Sequence, residues 1–576
     1  MAANRNSRAG RRAALRSTSA ASAPADARPS WLWFCGALLI AGLVYGPALN
    51  GPFLFDDYHL PFADPRASKA GPVFWIGGVR PVVTATYWAN FLMSGTAAFS
   101  YHAVNLMVHV FTSVLVFFFL ARLFDLAGLG LDRRWSALFG AGVFLLHPLQ
   151  TESVAYVTGR SEEMAGLFFF AAWLVFLNSF SSEMTTLRSI GILLLAAAAV
   201  LSKESAISLP AILLLTDLYW NPGSPRQWIR RRMKLYAPIV FGGLLGASEI
   251  LHSFGTGPSP AFVVPGVTPG LYALTQCRVI LTYIRLFLLP VGQNGDWGMR
   301  FYRSLGDGAA WIFVLAIVAI IAGITWSYRR ARLVSFGLST FLVLLLPTSS
   351  VVPIKDAIAE RRMYVPIIGL IIASIWVLEQ IRPRAQTLRV ATICILVIMG
   401  GLAFERNELW GSDVLFWQDS ADKNPANSRA HVGLGDAYIR GGRCVDAIRE
   451  FEIVESQQGM TDEMVTNLAT AYQCNHQPEL ALKGLRQILL KHPSANLYAQ
   501  IGYLEGVLGH SGESMSALNE AISRDPQNAL AYAYRGAVRL ALGDRAGAMA
   551  DLQKSLEIDP GNKTAASAMT MLLKHP

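Results

Sequence analysis

Apolar runs recur along the chain up to about residue 404 and then stop. A helix that crosses a membrane needs about 20 predominantly apolar residues, and most of the runs approach that length. Only 15% of the residues are charged, whereas soluble domains carry about 25%. The pattern predicts an all-α, polytopic membrane domain of about eleven spans in residues 30–405. The runs lie near residues 31–49, 103–121, 135–147, 163–180, 188–201, 205–219, 235–252, 309–327, 333–347, 363–380 and 387–404.

Basic residues cluster in several of the short connections between these runs. Cytoplasmic loops are enriched in Lys and Arg, so the clusters are expected in the cytoplasm. Successive crossings place successive connections on alternate sides of the membrane. All the basic clusters fall on the cytoplasmic side only if the amphipathic stretch 271–290 does not cross, so we predict that this stretch is interfacial or re-entrant. The clusters comprise Arg133 and Arg134; Arg226, Arg230, Arg231, Arg232 and Lys234; Arg329, Arg330 and Arg332; and Arg382 and Arg384.

This orientation predicts a multi-pass protein of the cytoplasmic (inner) membrane, with its N-terminus in the cytoplasm and its C-terminus outside. Six arginines in residues 1–29 predict a disordered basic cytoplasmic tail. Such a tail next to a first span is more typical of a topology signal than of a nucleic-acid-binding arm, so no nucleic-acid partner is expected. The segments expected outside are residues 50–101, 147–162, 202–205, 253–308 and 348–362.

The five cysteines are scattered and form neither a CxxC pair nor a Cys/His cluster. The sequence therefore indicates no zinc site and no disulfide framework. It leaves open whether Cys444 and Cys474 pair.

Residues 428–561 follow a different pattern, in which small and large residues recur at a spacing of 34 residues, with one step of 33. Gly435 and Phe451, for example, correspond to Ala469 and Leu485. Small residues let two helices approach and large ones fill the space between them, which is typical of tetratricopeptide repeats. We predict an α-solenoid in residues 406–576 that binds a protein acceptor or partner. The four repeats lie near residues 428–461, 462–494, 495–528 and 529–562, after a half-repeat at 410–425 and before a closing helix at 563–574.

Two adjacent carboxylates, Asp56 and Asp57, follow the first predicted span in an aromatic setting. A partly desolvated carboxylate can act as a base toward a hydroxyl, so both are candidate catalytic residues. The alternative is a solvated loop or a helix N-cap pair.

Three polar side chains, His102, Asn105 and His109, lie at i, i+3 and i+7 and share one face of a helix near its outer end. Polar groups inside membrane helices are costly and mark a site or an interhelical bond. We therefore regard them as supporting residues of a site, with helix–helix hydrogen bonding as the equal alternative.

Cations also concentrate in the segments expected outside. Arg80, Arg160, Lys203 and Arg361 are candidate contacts for a phosphate, although Lys203 and Glu204 could equally neutralise each other. His147, Glu152 and Glu204 are further candidates for support. A divalent metal on Asp56, Asp57, His102 and His147 is conceivable, but no ligand spacing enforces one.

These stretches resemble the transmembrane and tetratricopeptide-repeat-containing O-mannosyltransferases of animals and their bacterial relatives. The resemblance covers most of the chain, including the repeats at its C-terminal end. The matching motifs are FDD at 55–57, RP at 80–81, YHAVNLMVH at 101–109, HPLQTESVAYVTGR at 147–160, LSKE at 201–204 and ERRMYVP at 360–366.

The resemblance implies a glycosyltransferase-C fold that transfers a sugar from a polyprenyl-phosphate donor to a hydroxyl. It implies that Asp56 is the base with Asp57 beside it, and that Arg160, Lys203 and Arg361 contact the phosphate. The chain departs from the animal pattern at Ser205 and Ala206, where glutamine and glycine are usual.

The function that we predict is that of a membrane-embedded glycosyltransferase, with mannose as the expected sugar and an extracytoplasmic Ser or Thr hydroxyl as the acceptor. One alternative is a non-catalytic, membrane-anchored scaffold that recruits partners through the repeats. A transporter or lipid flippase is the other, but its charged residues would lie near the bilayer midplane.

Overall fold

The computed structural model describes residues 30–64, 66–180, 184–243, 264–381, 384–458 and 460–574. In these ranges every regular element is helical, which confirms the all-α class. The predicted tail, residues 1–29, lies outside the described residues, as does Arg382 of the last basic cluster.

The first part of the chain forms helices α1 to α15. Short 3₁₀ helices add turns between them, notably Phe55–His59, Val157–Gly159 and Glu360–Met363. Residues 233–243 are helical as well. The helices are α1 Ser30–Tyr45, α2 Pro72–Ile76, α3 Pro81–Ser94, α4 Ala98–Ala127, α5 Arg133–Leu146, α6 Thr151–Ala155, α7 Arg160–Asn178, α8 Thr186–Ser202, α9 Leu209–Trp220, α10 Pro225–Arg231, α11 Pro269–Leu288, α12 Ala310–Ser327, α13 Arg332–Leu345, α14 Ile367–Ile381 and α15 Ala385–Trp410.

Each predicted apolar run coincides with a helix as far as it is described, and the second half of the run 235–252 lies outside the described residues. Four described helices are long and apolar enough to cross a membrane: Ala98–Ala127, Pro269–Leu288, Asp307–Ser327 and Ala385–Trp410. Other runs give shorter helices; α5 and α13 have 14 residues each, about 21 Å at 1.5 Å per residue. The structure thus supports a membrane protein, and the count of about eleven crossings stays a prediction.

Helix α11 corresponds to the stretch that we expected not to cross. The Tyr272 hydroxyl near its start donates to Thr348 O at 2.8 Å, and the Phe287 carbonyl near its end lies 3.0 Å from His147 Nε2. Both of these partners belong to segments expected outside. By composition α11 could cross a membrane, but contacts of both ends with one side favour the interfacial placement, which stays a prediction.

Close packing of α13 on α14 fixes the loop between them. A Cβ added at Gly337 would lie 2.5 Å from the Gly369 carbonyl oxygen. Any larger residue would push the two backbones apart. The loop 346–366, which this crossing holds, carries several residues of the site described below.

The second part of the chain is an array of helix pairs that start at residues 428, 462, 495 and 529. Small residues face large ones as expected: a Cβ at Gly435 would meet Phe451, and one at Gly536 would meet Leu552. A disulfide joins Cys444 to Cys474, with 5.5 Å between their Cα atoms. The helices are α16 Asp413–Lys423, α17 Ser428–Arg440, α18 Cys444–Gln458, α19 Asp462–Cys474, α20 Pro478–Leu489, α21 Ala495–Val507, α22 Ser511–Arg524, α23 Ala529–Ala541, α24 Arg545–Ile558 and α25 Lys563–Lys574.

No break separates the two parts at residue 405, because α15 runs on to Trp410. On α16, the Phe416 ring packs against Trp410, and the rings of Phe416 and Trp417 both pack against Phe55 in the loop that follows α1. The repeat array therefore begins in direct contact with the loop that carries the candidate acidic pair.

Candidate active site

A pocket lies where four of the segments that we expected outside meet the repeat array. We call it the Asp56 pocket. Its free volume is about 50 Å³, room for a few water molecules. The residues that line it are Phe55, Asp56, Tyr156, Gly295, Asp296, Trp297, Asp356, Ile358, Ala359, Arg361 and Arg429.

Asp56 exposes its carboxylate at this pocket. Its backbone N–H donates to the Tyr156 hydroxyl at 2.9 Å. The preceding residue, Phe55, has a φ of 47°, an uncommon conformation for a bulky residue that persists only where the surroundings enforce it. Here the rings of Tyr156, Phe416 and Trp417 surround Phe55. The packing thus fixes the direction in which Asp56 points.

Asp57 faces the other way and is only 1% exposed. Its carboxylate accepts hydrogen bonds from Thr158 N and Oγ1, at 2.8 and 2.7 Å, and from Leu54 N at 3.1 Å. Burial raises the pKa of this carboxyl to about 6, and these hydrogen bonds oppose the shift. The contacts favour a structural role, in which Asp57 ties the loop that follows α1 to the turn at 157–159.

Arg361 is one of two arginines that line the pocket. Its Nη1 is paired with Glu152, and its backbone N–H donates to the other Glu152 oxygen at 3.1 Å. The guanidinium carbon lies 5.6 Å from the Tyr156 ring centre. Its side chain is 25% exposed. Because Glu152 and Tyr156 hold it in place, Arg361 presents the rest of its guanidinium at a fixed position in the pocket.

Arg80 and Lys203 belong to a neighbouring set of ion pairs. Arg80 donates to both oxygens of Glu204 at 3.0 Å, and Lys203 Nζ lies 3.2 Å from Glu162. The Arg80 pair lowers the pKa of Glu204 against the opposing effect of burial. Arg80 and Lys203 each have a carboxylate partner and are not among the residues that line the Asp56 pocket.

Arg160 is fully buried among polar groups. We call Arg160 and its partners Asn90, Tyr101 and Asn105 the Arg160 network. The Arg160 Nε donates to Asn105 Oδ1 at 2.7 Å, its Nη1 to Asn90 Oδ1 at 2.8 Å and its Nη2 to Tyr101 O at 2.8 Å. The ring of Tyr87 lies 4.5 Å from its guanidinium carbon. All three guanidinium nitrogens are therefore engaged within the protein, which favours a structural role.

The three candidate histidines are buried away from the pocket lining. His102 Nε2 lies 3.2 Å from Gly51 O. His109 lies between Tyr364 Oη, at 3.0 Å, and Leu145 O, at 3.1 Å. Like His147 against Phe287, these contacts bind one segment of the chain to another, which fits the alternative of interhelical hydrogen bonding.

Sequence reasoning missed three charged residues of the pocket: Asp296, Asp356 and Arg429. Asp296 lies between Gly295 and Gly298 in a segment expected outside. The two glycines could have indicated a loop of fixed conformation at this position. Arg429 gave none, because its partner Asp296 is 133 residues away in the sequence.

Glu360 was also missed, although it stands inside the quoted motif ERRMYVP. It is fully buried and accepts from Gln293 Nε2 at 2.6 Å, Asn294 N at 2.9 Å and Trp297 Nε1 at 3.2 Å. Burial raises its pKa to about 7. Glu360 thereby holds the loop that carries Asp296.

Within the described ranges, no group of three or more His, Cys, Asp and Glu side chains is placed to hold a metal ion. Asp56, Asp296 and Asp356 share the pocket, but Arg429 engages the latter two. The divalent metal considered from the sequence therefore stays a prediction.

Comparisons with known proteins point in one direction. Residues 495–528 match the tetratricopeptide repeat family. The chain is 23% identical over 435 residues to a protein O-mannosyl-transferase of Caenorhabditis elegans, covering 71% of this chain and 60% of that protein. It is 24% identical over 534 residues to protein O-mannosyl-transferase TMTC1 of Homo sapiens, covering 79% and 59%. These relatives confirm the resemblance inferred from the motifs.

The chain spans about 60% of the length of these two curated relatives. Among solved structures, the crystal structure of YrrB, described as a TPR protein with an unusual peptide-binding site, is 22% identical. The matched region covers 27% of this chain and 81% of the YrrB chain, with a TM-score of 0.23.

Proposed function

We propose that this chain is a membrane-embedded glycosyltransferase that moves mannose from a polyprenyl-phosphate donor to a Ser or Thr hydroxyl of an extracytoplasmic protein. The observation that carries the proposal is that the Asp56 carboxylate and the Arg361 guanidinium line the same pocket. A base and a fixed cation are the two groups that such a transfer requires. The names of the relatives support mannose and a protein acceptor.

In the proposed reaction, the acceptor oxygen attacks the anomeric carbon while the Asp56 carboxylate takes the hydroxyl proton. The bond between the anomeric carbon and the phosphate oxygen breaks, and the lipid phosphate leaves with the electron pair. Arg361 stabilises the charge on that leaving group. A single displacement inverts the anomeric centre, and the proton passes from Asp56 to water when the product leaves.

The same proposal places the pocket and the repeats outside the cytoplasmic membrane. The basic connections support this orientation. The disulfide between Cys444 and Cys474 supports it independently, because disulfides form and persist in oxidising compartments. The repeats would then gather the acceptor protein on the side where the pocket opens.

Asp56→Asn tests the proposal, because it removes the base while keeping size and polarity. We expect mannose on extracytoplasmic proteins to disappear when this variant replaces the wild-type chain, as measured by mass spectrometry of glycopeptides. Asp64→Asn is the matched control. Asp64 lies in the same outer loop and pairs with the exposed Arg66, so its loss should leave the glycopeptides unchanged.

Unchanged mannosylation in the Asp56→Asn variant, at equal expression, would refute the assignment of the base. Persistence of the same glycopeptides when the whole chain is deleted would refute the transferase itself. The scaffold alternative would then gain support, because the repeat array packs directly on the outer loops.

A further inference from the structure

We propose that Arg429, on the first helix of the first full repeat, α17, is a positioning residue of the Asp56 pocket. This inference rests on the proposed function. It makes the repeat array a structural part of the catalytic site, in addition to any part it has in gathering an acceptor.

Arg429 joins two outer loops across the pocket. Its Nε donates to Asp296 Oδ2 at 2.7 Å and its Nη2 contacts Asp296 Oδ1, while the same Nη2 donates to Asp356 Oδ1 at 2.9 Å. Asp296 is only 2% exposed. A carboxylate this deeply buried needs a cation, so the loop conformation around Asp296 depends on a residue from the repeat array.

Arg429 also acts on Asp56 through Phe55. Its guanidinium carbon lies 5.9 Å from the Phe55 ring centre, and Trp417 covers the same ring at 4.5 Å. Phe55 holds the positive φ that precedes Asp56. Because that conformation is unfavourable for phenylalanine alone, the contacts from the repeat array maintain the direction of the Asp56 carboxylate.

Neighbouring contacts fix the position of the helix that carries Arg429 relative to the pocket. Lys423 Nζ donates to Gln293 O at 2.6 Å, Asn424 Nδ2 to Trp297 O at 2.9 Å and Asn427 Nδ2 to Asp296 O at 3.0 Å. These bonds run from the end of α16 and the start of α17 to backbone carbonyls of a single loop. The junction is thus built as one rigid contact, with Arg429 as the side chain that extends from it into the pocket.

The test measures the initial rate at which membranes containing the full chain transfer labelled mannose from added polyprenyl-phosphate mannose to protein. Arg429→Lys keeps a cation beside Asp296 but cannot bridge two carboxylates as a planar fork does. We expect its maximal rate to fall about 10- to 100-fold, the effect of a misplaced catalytic group. The donor KM should change less than about two-fold, because Arg361 is untouched.

Arg486→Lys is the matched control, because Arg486 pairs with the buried Glu505 inside the repeat array. Its rate should equal that of the wild type. The apparent melting temperature of each variant in detergent, read in parallel, separates positioning from loss of fold. A fall in rate that only follows a fall in folded protein overturns the inference.

A wild-type rate in Arg429→Lys overturns it as well. So does a raised donor KM at an unchanged maximal rate, because Arg429 would then bind the donor and not position the base. Absence of donor-dependent transfer in the wild type instead refutes the proposed function, and the inference falls with it.

Discussion

The Arg160 network and the Asp56 pocket lie on opposite sides of Tyr156, yet they use their charged groups in different ways. The Tyr156 carbonyl accepts from Asn105, a partner of Arg160, and its hydroxyl accepts from Asp56 N. On the first side all three guanidinium nitrogens are engaged within the protein. On the second side Arg361 keeps part of its guanidinium at the pocket. Two arginines that look equivalent in the sequence thus differ in what they leave available.

The largest effect should come from Arg160→Met, which keeps the length of the side chain but removes every donor. The variant leaves Asn105 Oδ1 and Asn90 Oδ1 buried without their partner. Each such group costs about 1–3 kcal/mol, so we expect the folded, detergent-soluble yield to collapse. A variant that folds at the wild-type yield and loses only transfer would instead make Arg160 a phosphate contact.

Arg361→Lys should have the next largest effect and spare the fold. A lysine can still pair with Glu152, but it offers a point charge where the guanidinium offers a planar fork. Loss of one electrostatic contact to a developing anion costs about 100-fold in rate. The measurement is the initial rate of mannose transfer at saturating donor, normalised to the folded fraction. A wild-type rate would remove Arg361 from the mechanism.

Glu360→Gln tests whether the stability of the folded chain depends on the protonation of Glu360, which holds the loop that carries Asp296. Burial raises the pKa of Glu360 from 4.5 to about 7, with Glu152 adding to the shift and Arg406, Asn294 and Gln293 opposing it. Between these values the folded chain holds a proton that the unfolded chain has lost. Stability therefore falls as the pH rises through that window.

We measure the fall in apparent melting temperature between pH 5 and pH 8. This fall should be smaller in the glutamine variant than in the wild type by about 2–4 °C. Some slope should remain, because Asp57, with its pKa raised to about 6, acts in the same direction. Asp64→Asn serves as the control in an exposed pair. An unchanged slope in Glu360→Gln would show that another group titrates.

The sequence was sufficient for features that depend on local patterns. The apolar runs predicted the helices, and the 34-residue spacing predicted pairs such as Gly435 against Phe451. The pairing of Arg429 with Asp296 was not predictable, because it depends on how α17 meets a loop far away in the sequence. The opposite directions of Asp56 and Asp57 were likewise hidden, since the positive φ at Phe55 arises from rings supplied by α16.

The smallest effect should come from Arg80→Gln, which breaks the ion pair with Glu204. The side chains are 33% and 55% exposed, and exposed pairs contribute at most about 1 kcal/mol. We expect an unchanged yield and a fall in transfer of less than about ten-fold, because water can solvate Glu204 once Arg80 is gone. A loss of transfer as large as that in Arg361→Lys would extend the Asp56 pocket to Arg80. A matching loss in Glu204→Gln would then indicate that the pair acts as one unit.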